Sequence, residues 1–277
     1  MTNSLIVNGY CTLADLKSFM PSSSNIDTTT AEQAINAASR AIDAIPGLAF
    51  YPMVKANLYN TPRAAELKLF DDLLELFSLV NGDGTSITNS DYDLWPFNTY
   101  PKYSILLKPL STKYFNQSTT GWNQAAVTCT AIWGHHEDYG RAWATGSTLG
   151  TAVTDTTGTS WIVGLGSPFV AGQIGRCGNE LVRILSSSSS SVTDDLTVER
   201  GYNGSTAATH LITAAVTIWR PEAQIVRATM IQAARYYRRG ESVYGTTGGG
   251  EMGVQPVALA KLDPDVQLIA QNYYSRF

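Results

Sequence analysis

Apolar residues recur along this chain with two different periods, and the changes of period divide it into parts. Near the start, Leu13, Leu16 and Phe19 lie at helical spacing behind Thr12, with Asp15 three positions after it. Thr12 therefore caps a short helix, which Pro21 stops. A second helix starts at Asp27 or Thr30, carries Ile35, Ala38, Ile42 and Ile45 on one side, and ends at Pro46-Gly47. Its many alanines allow another helix to approach closely.

From Leu48 the pattern changes to alternation. Strands are expected over Phe50 to Tyr59, Glu66 to Phe70, Leu76 to Leu79, Tyr92 to Leu94 and Ser104 to Leu107, with a closing strand from Ala125 to Trp133. Asn81-Gly82-Asp83-Gly84, Trp95-Pro96 and Tyr100-Pro101 separate them as turns. The segment GHHEDYGRAW then reads as a linker, and a second β module follows. Its strands are expected near Trp161 to Val163, Gln173 to Cys177, Glu180 to Leu185, Leu196 to Arg200 and Ala214 to Trp219. The serine run Ser186 to Ser191 cannot build a core and reads as a hairpin tip.

The helical period returns after Pro221. Glu222 places negative charge in the first turn, and Arg238 and Arg239 close the last turn before Gly240. Val226, Met230, Ala233 and Tyr237 share one face, while Gln224, Arg227, Arg235 and Arg238 lie opposite with Ile231 in their midst. Two readings of that second face are open: a solvent stripe with one stray isoleucine, or a face packed against the carboxylates of a neighbouring copy. After a glycine-rich stretch from Glu241 to Val254, Asp263 caps a terminal helix with Pro264 at its first position and Val266, Ile269, Ala270 and Tyr273 along one side. Such a helix can dock on its own bundle or on another chain.

The expected fold is α+β: a small helical bundle core with two inserted antiparallel β modules. The bundle comprises the N-terminal pair (1–50), the long helix (220–245) and a glycine-rich tether with the terminal helix (246–277). The first β module spans 51–133, the linker 134–145 and the second module 146–219.

Composition narrows the function. Charged residues make up 15% of the chain, and 14 Tyr and 6 Trp accompany many Ser, Thr, Asn and Gly, a profile suited to an assembly protein. The net charge is -4, yet Arg63 to Tyr100 holds two basic and seven acidic residues, and Arg200 to Arg239 holds six arginines against one glutamate. Opposed local fields suit self-association. The chain is not basic overall, as a general nucleic-acid binder would be.

Three scattered cysteines suggest neither a disulfide framework nor a zinc site. His135, His136, Glu137 and Asp138 lack a metal-ligand spacing. No catalytic motif is present, and no cofactor is expected. Asp71-Asp72 and Asp194-Asp195 read as turn residues. Leu211 to Trp219 is too short to span a bilayer, so no membrane partner is expected.

In order, AINAASRAIDAIPGLAFYP, YDLWPFNTYPKYSILL and then ERGYNGSTAATH followed by VTIWRPEAQIVRATMIQAARYYRR resemble head-to-tail connector, or adaptor, proteins of tailed bacteriophages. The resemblance covers most of the chain and is most specific in the ERGYNG…ATH turn and its arginine-tyrosine helix. It implies a structural, non-enzymatic virion protein at the neck, forming a ring of about twelve copies beneath the portal protein. It also implies contact with downstream neck or tail proteins, and genomic DNA passing through the lumen without sequence-specific binding.

With that resemblance, Arg227, Ile231, Arg235 and Arg238 are candidates for the subunit interface or channel, and Val266, Ile269, Tyr273 and Phe277 for portal docking. The alternatives are a tail-completion or capsid-decorating protein and, more remotely, a carbohydrate-binding module.

Overall fold

The structure, a computed structural model, describes residues 3–20, 26–189, 192–241 and 262–273. It is an α+β fold. Among the described residues, the five α-helices are α1 (Leu13–Phe19), α2 (Thr28–Asp43), the single turn α3 (Tyr139–Ala142), α4 (Ala223–Glu241) and α5 (Pro264–Gln271). The caps follow the local sequence. Thr12 and Asp15 form a capping box on α1, with Thr12 Oγ1 accepting from the Asp15 N–H at 3.1 Å and the Asp15 carboxylate accepting from the Thr12 N–H at 2.8 Å. Asp27 accepts from the Thr30 N–H at 2.7 Å, and Asp263 caps α5 ahead of Pro264. The helix expected from Pro221 begins two residues later, at Ala223.

Alanine content sets the bundle packing. Ala31, Ala34 and Ala38 of α2 meet Ala233, Ala234 and Tyr237 of α4, with Leu16 of α1 beside them. The adjoining flank of α4 buries Ile225 and Ala228 against Val266, Ala270 and Tyr273, with Ile42 and Phe50 completing the cluster. Thus α4 is held on two sides by helices of its own chain.

The first β module contains β1 (Met53–Tyr59), β2 (Glu66–Val80), β3 (Ser86–Ile87), β4 (Tyr92–Trp95), β5 (Lys102–Leu107) and β6 (Val127–Trp133). They form an open antiparallel sheet in the order β1-β6-β2-β5-β4, with β3 added to β2. The segments 66–70 and 76–79 are not two strands but parts of the single long strand β2. Asp71 and Asp72 fall at an irregularity within it, between Lys68 and Leu73, and do not form a turn. Their carboxylates are committed: Asp71 to Lys55 and Asn57, and Asp72 to His135. A bulge bends a strand without ending it, which apolar spacing alone does not distinguish from a turn.

The second module contains β7 (Trp143–Thr148), β8 (Ser160–Val163), β9 (Ile174–Cys177), β10 (Glu180–Ser189), β11 (Asp194–Glu199) and β12 (Ala215–Trp219), in the order β7-β12-β9-β10-β11-β8. Its two outer strands meet: Leu149 bridges Val163, Gly150 donates to the Ile162 carbonyl at 2.8 Å, and Gly164 donates to the Thr148 carbonyl at 3.1 Å. The sheet is therefore closed into a small barrel filled by Trp161, Val163, Val182, Ile184, Leu196, Val198, Val216 and Ile218. The module starts at Trp143, inside the stretch read as a linker, because β7 is carried by its ladder to β12 and not by apolar alternation. Ser186–Ser189 belong to β10, paired with Thr197–Asp194, so most of the serine run is strand. Ser190 and Ser191 lie outside the described residues, as does most of the glycine-rich stretch after Glu241.

At the end of α2, burial pushes the Asp43 carboxyl up to about 6, although Arg40 at 3.1 Å and the Tyr10 hydroxyl both favour its charged form. A carboxyl whose folded pKa exceeds its unfolded value of about 3.9 contributes stability that is lost as pH rises through the folded value. Between pH 5 and 7.5 the wild type is expected to lose about 1 kcal/mol relative to Asp43→Asn. Urea denaturation of both proteins at the two pH values checks this; parallel pH dependence would show Asp43 to be an ordinary carboxylate.

Candidate subunit interface

The ERGYNG…ATH stretch is built around a buried ion-pair network that sequence patterns did not reveal. Glu180 of β10, with a fully buried side chain, accepts from Arg200 Nε at 2.6 Å and Nη2 at 2.8 Å. It also accepts from the Gly201 N–H at 3.2 Å and the Ala208 N–H at 3.0 Å, and pairs with His210 Nε2 at 2.7 Å. Burial works to raise the Glu180 pKa, but these bonds outweigh it and hold the carboxyl below its usual range. Trp161 stacks beneath the Arg200 guanidinium and packs edge-on to His210.

The same turn joins the parts of the molecule. Gly201 and Gly204 adopt left-handed φ values of +59° and +79°, with Asn203 at +48° between them. Asn203 Nδ2 donates to Asn8 Oδ1 and to the Pro52 carbonyl, both at 2.8 Å. A Cβ on Gly204 would lie 2.3 Å from the Val54 carbonyl oxygen. Barrel, N-terminal segment and first sheet are thus locked together here. The sequence signal was Arg and His flanking a glycine-asparagine turn, but their shared carboxylate lies about twenty residues upstream and becomes visible only in three dimensions.

The linker histidines are also structural. His135 Nδ1 pairs with Asp72 at 2.6 Å, and its ring packs edge-on to Phe50 and Tyr273. Burial lowers the His136 pKa, and its neutral ring accepts from the Asp138 N–H and donates to the Arg220 carbonyl. Among the described residues, no three His, Cys, Asp or Glu side chains come together to hold a metal ion. Burial pushes the thiols of Cys11 and Cys129 up to about 12 and that of Cys177 to about 11. Among the described residues, no helix is long and apolar enough to cross a membrane.

The outer stripe of α4 divides in two. Ile231 is half-buried and packs into the cluster shared with α5. Arg235 Nη1 pairs with Asp263 at the start of α5 at 3.2 Å, and Gln232 accepts from the Asp263 N–H at 3.0 Å. Ile231 and Arg235 thus have partners within the chain. Arg227 and Arg238 remain exposed and have no ion-pair partner among the described residues. Eleven residues separate them, which returns a helix to nearly the same azimuth about 16 Å further along. Beside Arg238, Phe19, Ile231, Ala234, Arg235, Arg239 and Asp263 line a shallow groove of about 390 Å³.

Three of the docking candidates of α5 pack on the chain's own bundle, one of the two placements open to such a helix. Val266 and Tyr273 are buried in the chain's own core, Ile269 packs beside them, and Tyr273 donates to Glu222 at 2.5 Å. Phe277 lies outside the described residues. The large apolar side chain that α5 presents outward is Leu268. Removing the helix would expose Ile225, Ala228 and Phe50, so its loss would disturb the bundle as well as any partner contact.

The fold and this surface define an α+β protein whose helical bundle carries an open sheet and a closed barrel and turns an arginine stripe outward. No family model, curated protein or solved structure matches the chain.

Proposed function

We propose that this chain is a structural virion protein, a head-to-tail connector whose copies form a ring beneath the portal, join capsid to tail and extend the DNA channel. The observation that carries this reading is the pair Arg227 and Arg238, exposed and aligned on α4, a helix held by α2 and α5. A ring needs one surface that fits a different surface of the next copy, held at a defined register. Guanidinium groups on a firmly packed helix supply directional donors for a neighbour's carboxylates or for DNA phosphates. Contacts to phosphates alone carry no base information, which suits a channel that passes any sequence. On the terminal helix, Leu268 replaces Val266 and Tyr273 as the side chain offered to the portal.

A second reading has its own support. Phe70, Trp95, Phe97 and Trp122 are exposed on the first β module, as on an adhesive surface of a tail-completion or decoration protein. Electron microscopy of the purified protein, alone and mixed with the portal protein of the same virus, separates the two. Closed rings of many copies, or rings seated on the portal, are expected. Monomers or trimers that ignore the portal would overturn the connector reading.

A further inference from the structure

Among the described residues, the barrel closes its own edges, whereas the first sheet leaves its end strands β1 and β4, and the two-residue β3, with one side open. At β1 the Val54 carbonyl faces away from β6, toward the turn at Gly204. Backbone groups alternate sides along a strand, so the N–H and C=O of Ala56 and Leu58 also face outward. At β4 the Asp91 carbonyl accepts from the Lys108 N–H at 2.9 Å, so Asp91, Asp93 and Trp95 face β5. Tyr92 and Leu94 then point their backbone groups outward. Each edge offers two residues at the same two-residue spacing.

Direction and face match as well. Four successive antiparallel steps separate β1 from β4, so the two run the same way. Sheet twist, about 20–25° per strand step, turns β4 relative to β1 within one copy; where the rotation between ring neighbours offsets that turn, β1 of one copy meets β4 of the next in parallel. In a parallel ladder a bonding residue sits opposite a non-bonding one. Ala56 then faces Asp93 and Leu58 faces Trp95, both pairs on the side away from the core. On the other side Asn57, next to core residue Tyr59, lies beside Tyr92 and Leu94, which pack on that same core. Leu58 and Trp95, exposed at 58% and 39%, would cover each other.

We propose that the occupant of these edges is a second copy of this chain: β1 of one subunit pairs in parallel with β4 of its neighbour. The proposal rests on the ring reading and names the surface that would seal it. Both end strands of the sheet are covered when the ring closes, which removes the longer exposed edges that otherwise invite uncontrolled pairing.

The test is Leu58→Cys combined with Trp95→Cys, oxidised and run on a non-reducing gel beside electron micrographs of the same sample. The native cysteines are buried. Within one chain the two new thiols sit at opposite ends of the sheet, four strand spacings of about 4.8 Å apart, so any bond between them is intermolecular. A ladder of covalent multimers is expected, with neither single variant exceeding a dimer. A ladder with rings supports both readings, and a ladder without closed rings keeps the strand pairing and removes the ring. Rings without a ladder overturn the strand pairing alone, and absence of both overturns both. Ala56→Cys with Asp93→Cys repeats the test on the other opposed pair, should loss of the Trp95 indole, which donates to Tyr103 at 2.8 Å, disturb the hairpin.

Discussion

Replacing Glu180 by alanine is expected to destabilise the barrel by about 3 to 5 kcal/mol, as breaking a buried ion pair does by stranding its partner. Arg200 and His210 would both lose their carboxylate inside a site where their side chains are 5% and 7% exposed. The Gly201 and Ala208 N–H groups would lose an acceptor at the same time. Glu180→Gln keeps the shape and some acceptor capacity, and should fall between the two. Urea unfolding followed by near-ultraviolet circular dichroism, which senses Trp161 against the guanidinium, measures the effect. A loss below about 1 kcal/mol for the alanine variant would mean that the backbone of the turn holds without this network. The wild-type contribution is present above the unfolded carboxyl pKa and is lost as pH falls through the lowered folded value.

If the arginine stripe seals a ring, reversing Arg227 and Arg238 together to glutamate is expected to abolish assembly while leaving the monomer folded. Both side chains are exposed, so the cost to the isolated chain is within about 0.5 kcal/mol. At an interface, like charge placed against a neighbour's carboxylates costs several kcal/mol, and a closed ring repeats it at every contact. Light scattering and electron microscopy report the assembly state, and circular dichroism the fold. Intact rings from the double variant would remove the arginine stripe as the assembly surface. Arg235→Glu is the less informative change, because it also breaks the pair with Asp263 and loosens α5.

Helix ends and most strand positions were legible in the sequence because they depend on neighbours in the chain. Thr12, Asp27 and Asp263 cap their helices through bonds to residues two or three positions away, and Pro264 and Gly47 act on their own φ angles. The apolar face of α4 was equally local, since helical geometry alone brings Ala233 and Tyr237 to one side. The opposite face was not. Whether Arg235 waits for another copy or binds Asp263 depends on where a segment twenty-eight residues later returns.

The same distinction runs through the rest of the molecule. Alternation placed strands in 53–59 and 215–219, but β7 was missed because its residues carry little apolar signal and its strand is defined by the ladder to β12. Asp71 and Asp72 looked like turn residues because local propensity cannot see Lys55 and His135 waiting across the sheet. Glu180, Arg200 and His210 are scattered in sequence and unremarkable singly, and only barrel closure makes one carboxylate answer both cations. Caps, periodicity and turns act within a few residues, so the chain's own pattern was enough to place the four longer helices, most strands and the apolar face of α4. The tertiary structure alone decided which sheet closes, which sheet stays open and which charges are already paired, because those outcomes depend on long-range contacts that no local pattern encodes.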